Sequence, residues 1–134
     1  MPDWFELEVA TPERLLVRAN VESAQLPGSN GSLGILPGHA PLADQLGAGL
    51  LSYSVGGRPR YLAVSGGFIE VLPGRVRVLA DVAERPEEID VDRARAALER
   101  ARQAAANAAT PEDAVEASEA VERAEARLAA AERK

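Results

Sequence analysis

The chain has no cysteine and a single histidine. Without cysteine there are no disulfides and no thiolate metal sites, which fits a reducing compartment, and one histidine leaves no imidazole cluster for a metal. Long apolar runs are missing too: no stretch approaches the ~20 residues that span a bilayer. The N-terminus, Met1-Pro2-Asp3-Trp4-Phe5-Glu6, carries acids where a signal peptide needs bases. A soluble chain is therefore expected, with any membrane association made through a partner. A net charge of -6 argues against broad binding to nucleic acid or anionic lipid. A catalytic constellation is also missing, because His39 lies in a Pro-Gly turn and nothing pairs it with Ser52, Ser54 or Ser65 and an acid. The histidine reads as a loop residue satisfying a backbone carbonyl.

What is present is divided sharply. All 11 glycines lie between Gly28 and Gly74 and every aromatic residue between Trp4 and Phe68, whereas after Pro86 there is no glycine, no aromatic and one proline, Pro111. The length of 134 residues supports one core of ordinary size and a small second unit. The spacing predicts an all-β N-terminal sandwich, or flattened two-sheet barrel, over residues 1–86 and an antiparallel α-helical hairpin over 87–134. Alternation marks strands at Phe5–Val9, Tyr61–Val64, Phe68–Val71 and Val76–Leu79, with Gly56-Gly57 and Pro73-Gly74 as hairpin turns. Two Leu-Pro-Gly units, Leu26-Pro27-Gly28 and Leu36-Pro37-Gly38, each read as a turn, leaving Leu33, Ile35 and Leu36 as a very short strand between two corners. The run Gly28-Ser29-Asn30-Gly31 lacks the lysine and spacing of a phosphate-binding P-loop and reads as a contact loop.

Residues 87–134 are dominated by Ala, Glu and Arg, all strong helix formers. Asp90 is the expected N-cap of a first helix running to about Ala106, and Thr110-Pro111-Glu112-Asp113 opens a second. The larger apolar side chains here are few: Ile89, Val91, Leu98, Val115, Val121 and Leu128. Val91, Ala94, Leu98 and Ala101 form one stripe, and Val121, Ala124 and Leu128 another. Each large side chain contributes roughly 1.5–3 kcal/mol on full burial, against about 1–2 kcal/mol for ordering each residue's backbone. Two readings follow: a marginally docked hairpin that modest binding energy switches, or a permanently docked one.

Arginines are the one small-molecule candidate. Asp90, Arg93, Ala97 and Arg100 fall on one line of the first helix, and Arg123 and Arg127 are four apart on the second, so a folded hairpin is expected to bring four guanidinium groups toward one patch suited to a polyphosphate. Ordinary solvated ion pairs such as Glu119–Arg123 are the competing explanation.

The order of these motifs is specific. The segment Leu26-Pro27-Gly28-Ser29-Asn30-Gly31-Ser32-Leu33-Gly34-Ile35-Leu36-Pro37-Gly38-His39-Ala40-Pro41-Leu42 resembles the most recognisable stretch of the epsilon subunit of the rotary F-type ATP synthase. Ala63–Val71, Val76–Arg85, Ile89–Ala94 and the alanine-rich tail resemble later segments of that family in order and spacing. The resemblance implies a non-catalytic central-stalk subunit, peripheral at the cytoplasmic face of a bacterial cell membrane, with a plastid thylakoid as the less favoured alternative. Its sandwich would bind the gamma subunit and the c-ring, and its helices would reach the alpha/beta catalytic head to restrain ATP hydrolysis. It implies no required cofactor. Gly28, Ser29, Asn30, Gly31, Ser32, Leu33 and His39 fall where that family meets the c-ring or gamma. Some family members bind ATP between sheet and hairpin through an Ile/Leu-Asp-x-x-Arg-Ala motif, which Ile89, Asp90, Arg93 and Ala94 match. Glu84, Arg100, Arg123 and Arg127 fall at the other matching positions. Asp92 departs from that pattern and would weaken ATP binding. A free-standing nucleotide sensor using the same hairpin is the alternative function.

Overall fold

The computed structural model describes residues 3–134. Met1 and Pro2, the start of the expected first unit and of the acidic N-terminus, lie outside the described residues. Eight strands come first: β1 (Phe5–Ala10), β2 (Leu15–Val21), β3 (Ser23–Gly28), β4 (Gly31–Ile35), β5 (Leu42–Gln45), β6 (Gly49–Val55), β7 (Arg58–Leu72) and β8 (Arg75–Glu84). A 3-10 turn, Pro86–Glu88, leads into α1 (Val91–Ala106) and α2 (Pro111–Ala131). The strands pair in the order β2-β1-β8-β7-β6-β3-β4, with β5 also on β7, and only the β1–β8 pair is parallel.

The sandwich closes because β7 serves both layers. Its first half pairs β6 and its second half pairs β5, while β8 runs along its other edge. The break falls at Gly66 and Gly67, with φ of 70° and 116°. Tyr61–Val64 and Phe68–Val71, expected as separate strands, are thus one strand bent at a Gly-Gly pair. Inward positions of both layers, among them Leu7, Val9, Val21, Leu26, Leu51, Val64, Ile69, Val76 and Val78, are almost wholly buried and make one core.

The turns divide into confirmed and corrected. Gly56-Gly57 and Pro73-Gly74 close two-residue hairpins with positive φ at the glycines, and Leu36-Pro37-Gly38-His39 is a turn closed by the His39 amide on the Leu36 carbonyl at 3.1 Å. Pro27-Gly28 is not a turn. Both residues end β3 and pair with Ser32 and Gly31, so the corner moves to Ser29-Asn30. Proline is tolerated there because antiparallel pairing asks each residue's amide for a bond only on one edge.

Both helices begin where their capping residues predict. The Asp90 carboxylate accepts from the Arg93 amide at 3.1 Å, and the Thr110 hydroxyl from the Asp113 amide at 3.1 Å. The helices are antiparallel neighbours, and α2 makes the main contact with β6 and β7. The contact with the sheet is made of small groups: Ala126 and Ala130 of α2, Ala94 of α1 and Ile89 meet Ala63, with Leu50 and Leu128 at the margin. Leu98 and Ala101 are buried on α1, Ala117 and Ala124 on α2. Val115, counted among the anchors, is 58 % exposed and anchors nothing. Since a buried methyl(ene) group contributes about 0.8 kcal/mol, alanine contacts hold the hairpin far less firmly than leucine and valine hold the sandwich.

Candidate functional site

Where β8 ends, the linker, α1 and α2 enclose a cavity of about 180 Å³ lined by Glu84, Glu88, Ile89, Asp90, Arg93 and Arg127. Five of these are the expected site residues Glu84, Ile89, Asp90, Arg93 and Arg127. They come together only because α2 returns beside the start of α1. Arg127 Nε donates to Glu84 Oε1 at 2.6 Å, tying α2 to the last strand. Its terminal nitrogens make no hydrogen bond among the described residues, and arginine's planar fork leaves those donors for another acceptor. Arg93 is exposed and makes no salt bridge among the described residues.

The four-arginine patch does not form. Arg100 lies on an exposed part of α1 and is not among the residues around this cavity. Arg123 lines a different cleft, beside Ser29, Gly47 and Gly66 at the far end of the sandwich. Four residues of helix advance the chain about 6 Å and leave a residual turn of roughly 40°, which is enough to send Arg123 and Arg127 to different neighbours. Glu119 and Arg123 form no ion pair among the described residues.

Glu88 is the cavity residue that pattern reading missed. It carries no helical or strand periodicity, sits in a short linker, and its partner is distant in sequence. Arg14, the last residue of the β1–β2 turn, grips it with both terminal nitrogens, at 2.5 Å to Oε2 and 3.0 Å to Oε1. The Arg14 guanidinium, with the Arg85 amide at 2.7 Å, holds the Glu88 carboxyl at about 2 instead of 4.5. A folded-state value below the ordinary one means that this pair's stabilisation is fully present above about pH 4.5 and is lost as pH falls toward 2. The melting temperature should fall across that interval, and Glu88→Gln should flatten the fall. Equal acid slopes in the two proteins would contradict the linkage. Asp92, expected to burden the site with negative charge, points away: it is 98 % exposed and lies 4.0 Å from Arg95.

Other expected contact residues lie elsewhere. Ser29 and Asn30 form the exposed tip of the β3–β4 hairpin, flanked by Gly28, Gly31 and Ser32, with Leu33 half-buried on its flank. The base of the tip is fixed by a third pairing, since the Ser29 amide donates to the Gln45 carbonyl at 2.9 Å. His39 is half-buried with Nδ1 2.8 Å from the Ala40 carbonyl oxygen.

On the outer face of β2, β1, β8 and β7, two cross-strand rows run side by side. Arg18, Glu8, Arg77 and Glu70 are successive partners of alternating charge, with Arg18 2.8 Å from Glu8. The Arg18 hydrogen bond, supported by the charges of Arg18 and Arg77, holds the Glu8 carboxyl below the usual carboxylate range. Two residues along β1, β8 and β7, and three along β2 where the pairing shifts register after Val9, Leu15, Ala10, Leu79 and Phe68 form an apolar row, in which Phe68 is 63 % exposed.

Comparisons agree along the chain's length. The model of the ATP synthase delta/epsilon chain β-sandwich domain matches residues 4–86, and that of the delta/epsilon long α-helix domain matches residues 87–132. The chain is 60% identical over 134 residues, 100% of each chain, to the ATP synthase epsilon chain of Solibacter usitatus (strain Ellin6076). It is 52% identical over 103 residues, 77% of each, to that of Carboxydothermus hydrogenoformans. A structure of the Euglena gracilis mitochondrial ATP synthase contains a chain that superposes with a TM-score of 0.82 at 28% identity, over 98% of this chain and 82% of that one. A chain in the Tetrahymena thermophila mitochondrial central stalk and c-ring shares the fold, with a TM-score of 0.55 at 16% identity over 96% and 93%. No helix among the described residues is long and apolar enough to cross a membrane. With both halves matched in order and a relative alike from end to end, the chain belongs to the epsilon subunit family of the F-type ATP synthase.

Proposed function

We propose that this protein is a non-catalytic central-stalk subunit that couples c-ring rotation to the catalytic head, and that its hairpin is a mobile arm which ATP holds down. It works as a peripheral subunit at the cytoplasmic face of the membrane. The observation that carries the reading is the composition of the cavity around Arg93 and Arg127. Its walls come from β8, the linker, α1 and α2, so a polyphosphate touching both arginines exists only with the hairpin docked. Alanine contacts make the docked state easy to leave. A released hairpin extends toward the alpha/beta head and restrains hydrolysis. Ligand clefts commonly measure about 300–1,000 Å³. The smaller volume here fits the phosphate end, with the nucleoside lying across the outer surface.

Gamma is met by the outer face bearing Phe68 and Leu79, where an apolar row beside alternating charges offers both burial and register. The c-ring is met by the β3–β4 tip, where a pinned scaffold presents an exposed turn. With Asn30→Cys or Ser32→Cys in the otherwise cysteine-free chain, cross-linking in membranes should reach a c subunit efficiently. Cross-links confined to subunits of the catalytic head would overturn this placement and leave the free-standing sensor or a different docking of the sandwich.

A further inference from the structure

The composition break at Pro86 suggests that the arm begins there, but the contacts around the linker say otherwise. Three bonds from the first strands and the linker itself hold residues 85–88 to the sandwich. Arg14 grips the Glu88 carboxylate with two nitrogens and, with one of them, also donates to the Ala83 carbonyl at 3.0 Å. Arg85 reaches in the opposite direction to the Leu16 carbonyl at 3.1 Å. Within the turn, the Glu88 carboxylate accepts from the Arg85 amide, and the Glu88 amide donates back to the Arg85 carbonyl at 3.0 Å. None of these bonds involves a residue of either helix. The bonds from the helical part are of a different kind: Arg127 to Glu84, Lys134 Nζ to the Ile89 carbonyl at 3.3 Å, and Arg133 stacked 4.8 Å over the Tyr61 ring. These are single contacts made by ends of long side chains, and undocking breaks all of them together.

We propose that Arg14 and Arg85 clamp residues 85–88 as a fixed extension of the sandwich, so that the arm pivots at Ile89–Asp90 and not at Pro86. This rests on the reading that the hairpin leaves the sheet, and it adds where the movement starts and which distant residue sets it. Arg14 is then a positioning residue: when the helices depart, Glu84 and Glu88 stay where they were, and the half of the cavity they form is ready for the hairpin's return. A bidentate arginine–carboxylate pair has the geometric specificity for that role, which a lone lysine would lack.

Amide hydrogen exchange on the full chain tests the pivot. Ala130→Glu places a charge in the buried contact between α2 and the sheet and forces the helices off, whatever their natural mobility. In that variant the Arg85, Glu88 and Ile89 amides should exchange as slowly as amides of β7 and β8, while those of α1 and α2 exchange at least about tenfold faster than in the native chain. Adding Arg14→Ala should bring the three linker amides to the helical rate, with the strands unchanged. Linker amides that speed up with the helices in Ala130→Glu alone, or that ignore Arg14→Ala, overturn the clamp. The native chain supplies the separate check on mobility: helices exchanging as slowly as strands there would count against a mobile arm while leaving the clamp to be decided by the two variants.

Discussion

Gly67→Ala should destabilise the sandwich by more than about 3 kcal/mol, enough to leave much of the chain unfolded at moderate urea. Gly67 has a φ of 116°, and a Cβ placed on it would lie 1.9 Å from the Leu79 carbonyl oxygen and 2.9 Å from the Leu79 carbonyl carbon. These are backbone atoms of the paired strand, so relief requires β7 and β8 to part just where β7 passes from one layer to the other. The left-handed region adds its own cost for any side chain. Gly57 is the control: its φ is 76°, nothing lies within 4 Å of an added Cβ, and Gly57→Asn should change stability by less than about 1 kcal/mol. Urea unfolding followed by circular dichroism compares them. A Gly67→Ala protein within about 1 kcal/mol of the native one would mean that the bend in β7 is not what closes the sandwich.

The second large effect concerns nucleotide. ATP should raise the melting temperature of the isolated subunit, because a ligand at a hundred times its dissociation constant adds about 2.7 kcal/mol to the state that binds it. Arg93→Ala and Arg127→Ala should each weaken binding roughly 10- to 100-fold, the equivalent of one charge-assisted bond of about 1.5–3 kcal/mol. Arg123→Ala and Arg100→Ala are the discriminating controls. The helical spacing alone gives all four arginines equal weight, whereas the folded chain places Arg93 and Arg127 on the cavity and Arg123 on another cleft. Calorimetry should therefore show affinity lost in the first two variants and kept in the other two. Four equal losses would restore the four-arginine patch and require the helices to rotate from the arrangement described.

That contrast also marks how far residue patterns reach. Helix boundaries were legible because caps are local: Asp90 and Thr110 each bond an amide three residues on, and both can be read from adjacent letters. The β class was legible from alternation, but β2 and β6 carry mixed burial along their lengths with no clean period of two, and β5 alternates over only four residues, Leu42-Ala43-Asp44-Gln45, too few to stand out as letters. Pro27-Gly28 looked like a corner because turn chemistry is judged locally, while its pairing to Ser32 and Gly31 depends on where the next strand returns. For the site, Glu84, Asp90, Arg93 and Arg127 could be assembled from family motif positions. Glu88 and Arg14 could not, since an ion pair between a strand turn and a linker 74 residues away leaves no periodic trace. Asp92 shows the reverse error, a charge adjacent in sequence that the helix turns toward solvent.

The central claim is that ATP favours the docked hairpin, and the most direct measurement is a distance across the arm in the assembled ATP synthase. The chain has no cysteine, so Arg58→Cys on the β6–β7 hairpin and Arg102→Cys on α1, both at exposed positions, take a pair of spin labels in the isolated subunit before it is assembled into the complex, and no other site of this chain is labelled. Pulsed electron resonance should give two populations without nucleotide, one at the separation of the docked form and one longer, and saturating ATP should gather them into the shorter. A single separation that does not respond to ATP would contradict the account and leave the hairpin a fixed part of the subunit.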